Sequence, residues 1–121
     1  MARYPNLPLL SLRVDGRDAA LRVFHARSFI ARLFGLLGRR PLAAGEGLLL
    51  EPCSSVHTVG MRYPIDVVLL DGEGRVLSTR AALAPLRLAA APRTRRVLEL
   101  PPNSLVSLGI APGVKLTLEA P

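Results

Sequence analysis

Ile65-Asp66-Val67-Val68-Leu69-Leu70-Asp71-Gly72-Glu73-Gly74-Arg75-Val76-Leu77-Ser78-Thr79 is the stretch that decides the fold class. From Ile65 to Leu70 every residue but Asp66 is apolar, and three are β-branched, the pattern of a strand buried on both faces. Asp71-Gly72-Glu73-Gly74 is turn chemistry, so the chain is expected to return as a second strand over Arg75 to Thr79.

Short strands flank this hairpin on both sides. Upstream, Leu48 to Glu51 reads as a strand reached through Gly45-Glu46-Gly47 and ended by Pro52. Leu9 to Val14 and Leu21 to His25 form a second hairpin candidate around Asp15-Gly16-Arg17-Asp18. Downstream, Arg96 to Leu100 and Val114 to Leu118 are strands, and Ser104 to Leu108 is one helical turn ending at Gly109. Ala81 to Pro92, interrupted by Pro85 and Pro92, reads as an irregular crossing.

One segment has a different period. Phe29, Ile30, Leu33, Phe34 and Leu37 recur at helical spacing, with Ser28 as N-cap, Gly38 as the C-terminal stop, and Arg39, Arg40 and Pro41 beyond it. The expected fold is therefore mainly β (α+β). It is a small barrel- or sandwich-like domain of short, mostly antiparallel strands with one short amphipathic helix near residues 28–38.

A chain of 121 residues suits a single domain over 1–121. Its one cysteine cannot close an intrachain disulfide, and Met1 to Pro8 lacks secretory patterning, so the expected location is cytoplasmic. No apolar run reaches the roughly 20 residues of a membrane helix. The net charge is +7, carried by arginines spread from Arg3 to Arg96 with Lys115 as the only lysine. That spread points to compositional bias more than to a phosphate-binding surface.

Chemistry-bearing residues gather in Cys53-Ser54-Ser55-Val56-His57-Thr58-Val59-Gly60-Met61-Arg62. In extended chain Cys53 and His57 lie roughly 13 Å apart. Two ligands at that spacing make no zinc site, and neither a metal nor a cofactor is expected. A turn centred between Met61 and Arg62 would instead set His57 opposite Asp66, with Cβ atoms roughly 5 Å apart. The carboxylate could then fix the imidazole tautomer. This hairpin register is an expectation, since a slip of one residue sends the two side chains to opposite faces.

Several blocks resemble the family called domain of unknown function 192 (DUF192, UPF0127-like). They are Phe34-Gly35-Leu36-Leu37, Gly47-Leu48-Leu49-Leu50, His57-Thr58, Met61, Pro64-Ile65-Asp66-Val67, Leu70-Asp71, Val97-Leu98-Glu99-Leu100 and Gly109-Ile110-Ala111-Pro112-Gly113. The resemblance spans about residues 20–118 and implies a compact prokaryotic domain, mainly β with a short helix, with no established activity. Val56-His57-Thr58-Val59-Gly60-Met61 departs from the Trp-Met-x-Asn-Thr-like block of many members and is similar to a subgroup carrying Cys and His.

The leading functional reading is a non-enzymatic accessory or small-ligand-binding module, its site formed by His57, Met61, Arg62 and Asp66 beside Cys53. Its partner would be a small ligand or another protein. Each residue also has a plain structural role open to it: cysteine as buried filler, His57 with Asp66 as a structural pair, Met61 as packing, Arg62 as a solvated turn residue. The alternative is a thiol-dependent hydrolase or transferase, with Cys53 as nucleophile, His57 as base and Asp66 as orienter. A third class, nucleic-acid binding by Arg93, Arg95 and Arg96 with Arg39 and Arg40, is disfavoured by the scarcity of aromatic residues for base stacking.

Overall fold

The computed structural model describes residues 7–27, 42–57, 63–84 and 88–121, and for Val56, His57 and Leu88 the backbone alone. Its strands are β1 (Leu9–Val14), β2 (Arg17–Ala26), β3 (Glu46–Leu50), β4 (Ser55–His57), β5 (Ile65–Leu70), β6 (Val76–Leu83), β7 (Leu88–Ala90), β8 (Arg96–Leu100) and β9 (Leu116–Glu119). One short helix, α1, covers Ser104–Leu108. The helix expected near residues 28–38 lies outside the described residues.

Seven strands form one sheet in the order β6-β5-β8-β3-β2-β1-β9, and β4 with β7 forms a separate two-stranded sheet. All pairs are antiparallel except β2 with β3. A parallel pair needs a crossover of about a dozen residues or more, which residues 27–45 provide. The long sheet curls until its edges meet at one end. There Arg75 bridges Lys115, Val76 donates to the Val114 carbonyl (2.9 Å), and Leu116 donates to the Gly74 carbonyl (2.8 Å). Gly74 sits at φ +94°, and a Cβ there would run into the Leu116 carbonyl, so glycine is required for this closure.

The predicted hairpin forms between β5 and β6. Asp71 fixes its turn by accepting the Arg75 and Glu73 backbone N–H groups, each at 2.9 Å. The Arg75 bond is the main cause holding the Asp71 carboxyl below its ordinary value. All six residues of β5 are buried. Ile65, Val67 and Leu69 join one apolar cluster with Leu48, Leu50, Val97 and Ala89. Val68 and Leu70 join another with Leu12, Val23, Leu98, Leu105 and Leu116. A strand with a core on each side is apolar on both faces except where a buried polar group finds partners, as Asp66 does, which is why its sequence lacks alternation.

Two expectations require correction. Residues 81–92 do not form only an irregular crossing, because β6 continues to Leu83 and Leu88–Ala90 pairs with Ser55–His57. The predicted β4–β5 hairpin, with His57 opposite Asp66, does not form. His57 pairs with Leu88, and Asp66 pairs with Leu100. The cause is edge availability: β5 already has β6 on one side and β8 on the other, leaving β4 no edge to join.

Candidate functional site

Asp66 lies on the same face of β5 as Val68 and Leu70 and is 1% exposed. Its pairing explains its chemistry. Ile65 opposes Leu83 and Val67 opposes Arg80, so β6 carries one extra residue opposite Asp66, a bulge containing Ala82 at φ 47°. The N–H of Ala82, freed from the ladder, donates to Asp66 Oδ1 at 2.7 Å. The N–H of Leu105 donates to Oδ2 at 3.0 Å. Leu105 is in the first turn of α1, whose N-cap Asn103 adopts a left-handed conformation and makes no side-chain capping bond. Asp66 thus supplies from a distant strand the acceptor that an N-cap side chain normally gives.

Cys53 is half-buried against the Val67-side cluster. Its backbone N–H donates to the Arg95 carbonyl at 2.9 Å, joining the segment after β3 to the one before β8. Its thiol donates to the Ser55 carbonyl at 3.0 Å. Between the two segments lies a groove of about 410 Å³ lined by Pro52, Cys53, Ser54, Ser55, Thr94 and Arg95. Thr94 is buried and stiffens this wall by donating its hydroxyl to the Ala91 carbonyl at 2.8 Å. Arg95 is exposed.

The sequence-selected residues therefore separate. Cys53 lines the groove, and the backbone of His57 continues from it in β4. Asp66 sits inside the sheet. Met61 and Arg62 lie outside the described residues, as do Arg39 and Arg40. The arginine run also divides. Arg93 and Arg95 are exposed, whereas Arg96 is largely buried with its Nε 4.0 Å from Glu51 Oε2. Glu51 also holds His25, whose Nε2 lies 2.7 Å from Oε1. This gathers His25 of β2, Glu51 just after β3 and Arg96 of β8 in one polar cluster.

Glu99 escaped the sequence reading of site residues. It lies in β8 directly opposite Leu48 of β3 and Val67 of β5, and is 2% exposed. Burial pushes its carboxyl up to about 8. Among the described residues its Oε2 has no hydrogen-bond partner. The signal was present, because Glu99 is an acid flanked by Leu98 and Leu100 and two residues from Val97 in a strand of otherwise apolar character after Arg96. Among the described residues no cluster of His, Cys, Asp and Glu could hold a metal ion. No helix there is long and apolar enough to cross a membrane.

The fold is shared with solved structures. A protein of unknown function from Novosphingobium aromaticivorans DSM 12444 superposes with a TM-score of 0.79 at 24% identity, covering 90% of this chain and 84% of that one. A structure described as a "putative transcription regulator" from Sinorhizobium meliloti 1021 gives 0.81 at 22% identity, covering 93% and 95%. At those identities the likeness shows the fold alone. No curated protein matches the chain. The DUF192 family model, described as "Uncharacterized ACR", matches residues 10–118, from β1 to β9, and the chain belongs to that family.

Proposed function

We propose that this domain is a non-enzymatic small-ligand-binding module whose polar site is the groove between residues 52–55 and 94–95. The observation that carries the reading is the groove's lining, which combines an exposed guanidinium on Arg95 with the hydroxyl-bearing Ser54 and Ser55 on two segments joined by a backbone hydrogen bond. Such a lining suits a small carboxylate or phosphate, which a planar guanidinium can grip through two parallel hydrogen bonds. The net charge of +7 favours anion approach. His57, Met61 and Arg62 follow the groove in the chain and are the further candidates for contacting its ligand. In this reading Asp66 has a structural part, holding β6 and α1 in place.

Calorimetric titration with inorganic phosphate and with succinate tests the proposal. Arg95→Gln should weaken binding of the better anion about tenfold, the scale of one charge-assisted bond, without shifting the unfolding midpoint. Absence of saturable binding by either anion, or equal binding by the variant, would remove the groove as the site.

A further inference from the structure

The residues that bound the groove in sequence belong to the polar cluster of His25, Glu51 and Arg96. Glu51 immediately precedes Pro52, and Arg96 immediately follows Arg95. Arg96 stands opposite Leu70 of β5, and Glu51 follows two residues after Leu49, so both turn to the sheet face whose core includes Leu49, Leu70 and Leu98. There the Glu51 carboxylate lies between two partners, His25 Nε2 at 2.7 Å from Oε1 and Arg96 Nε at 4.0 Å from Oε2. The side chains of His25 and Arg96 are each 13% exposed. Among the described residues Arg96 Nε has no hydrogen-bond partner, so the guanidinium is held there by the charge of Glu51.

We propose that this cluster couples the groove to pH, a proton taken up by His25 tightening the binding of a small anion between residues 52–55 and 94–95. The coupling rests on the groove being the anion site. While the imidazole is neutral, Glu51 offsets Arg96 and the cluster adds no net charge beside the groove. Once the imidazole is protonated, the cluster is net positive, and the added charge sits where little water reaches to screen it. The hydrogen bond survives in both states, since a neutral imidazole with its proton on Nε2 still donates to Glu51. Charge changes while the fold does not. Imidazole is the side chain whose ordinary change of charge falls between about pH 5 and pH 8.

Among the described residues, the other groups around His25 carry no competing charge on this face. Val23, Leu49 and Leu98 are apolar, and on the β1 side the His25 backbone N–H donates to the Pro8 carbonyl at 2.9 Å. Arg27, two residues on, is exposed. Asp71 of the β5–β6 turn is occupied by the Arg75 and Glu73 N–H groups. The two adjacent arginines pass this turn on separate sides. Arg96 Nη2 lies 3.3 Å from where a Cβ on Gly74 would stand, and Arg95 Cγ lies 3.9 Å from the same point on Gly72. Their Cα atoms are about 3.8 Å apart, so the cluster and the groove are near neighbours. One added charge roughly 10 Å from a bound dianion, at an effective dielectric of about 20 and physiological salt, changes affinity about fivefold.

Sulfate is the probe, because its charge is constant between pH 5.5 and pH 8 whereas phosphate and succinate titrate there. By calorimetry the wild-type chain should bind sulfate about fivefold more tightly at pH 5.5 than at pH 8. His25→Gln, whose amide can still donate to Glu51, should bind it equally at both. That variant retains His57, so it separates the two histidines of the chain. Linkage is reciprocal, so saturating sulfate should raise the midpoint of the His25 ring-proton titration in the wild-type chain by about 0.7 pH unit, the logarithm of the same factor. A pH dependence that persists in His25→Gln, or a His25 titration that bound sulfate leaves in place, would overturn the coupling and leave the groove standing. Absence of saturable sulfate binding at either pH would overturn the groove and the coupling together.

Discussion

Replacing Asp66 by alanine should be among the most damaging single changes in this chain, and its cost follows from two bonds. Its carboxylate accepts the Ala82 N–H at 2.7 Å and the Leu105 N–H at 3.0 Å inside a residue that is 1% exposed. Asp66→Ala leaves the buried Leu105 N–H without an acceptor, at roughly 1–3 kcal/mol, and the part-buried N–H of the exposed Ala82 at about 1 kcal/mol, hence about 3 kcal/mol together. That is a large fraction of the 5–15 kcal/mol that typically separates folded from unfolded domains. Asp66→Asn keeps one acceptor oxygen and turns an NH₂ group toward the other donor, so it should cost about 2 kcal/mol.

Urea denaturation gives the totals, and native-state hydrogen exchange supplies the specific signature. In Asp66→Ala the amides of Ala82 and Leu105 should exchange faster than their strand neighbours, because the bulge and the start of α1 open locally. A loss below about 1 kcal/mol, or unchanged exchange at both amides, would refute the capping role. If stability held while anion binding vanished, Asp66 would face a ligand instead, as the sequence alone suggested.

Glu99 should make stability fall with rising pH. Its folded value of about 8 lies above the ordinary 4.5, so the unfolded chain releases this proton first, and the stabilisation present below pH 4.5 is lost as pH climbs to about 8. The full loss is about 5 kcal/mol; Glu99→Gln should flatten that slope between pH 5 and pH 8.5 in denaturant titrations, and an unchanged slope would assign it to other groups. Gly74→Ala should lower the unfolding midpoint far more than Gly16→Ala, although both glycines have positive φ, because only at Gly74 would the added Cβ meet a backbone carbonyl, that of Leu116. Comparable melting shifts for the two variants would mean that the edge closure contributes little.

The hairpin from Ile65 to Thr79 was legible because its evidence is local: an apolar, β-branched run followed by a turn of Asp and Gly fixes its own partner. β1 and β8 were legible with the same boundaries, as was the helical turn at Ser104 that ends in a left-handed Gly109. The candidate site was legible only in part. Cys53 lies in the groove that the proposal uses, but its facing wall, Thr94 and Arg95, comes from about forty residues away in sequence. The pairing of His57 with Asp66 failed because register depends on which sheet edges are free, and that is known only once β6 and β8 have taken both sides of β5.

By itself the sequence determined the class of fold, the β1–β2 and β5–β6 hairpins and the family, since each depends on residue type and short spacing. The tertiary structure alone decided that Asp66 caps a helix thirty-nine residues away, that Glu99 is sealed between Leu48 and Val67, and that Gly74 closes the sheet on Leu116. An acidic side chain has the same formula in water and in a core. Whether it binds a ligand, holds a backbone or stays protonated depends on which strands surround it, and in this domain those strands come from distant parts of the chain.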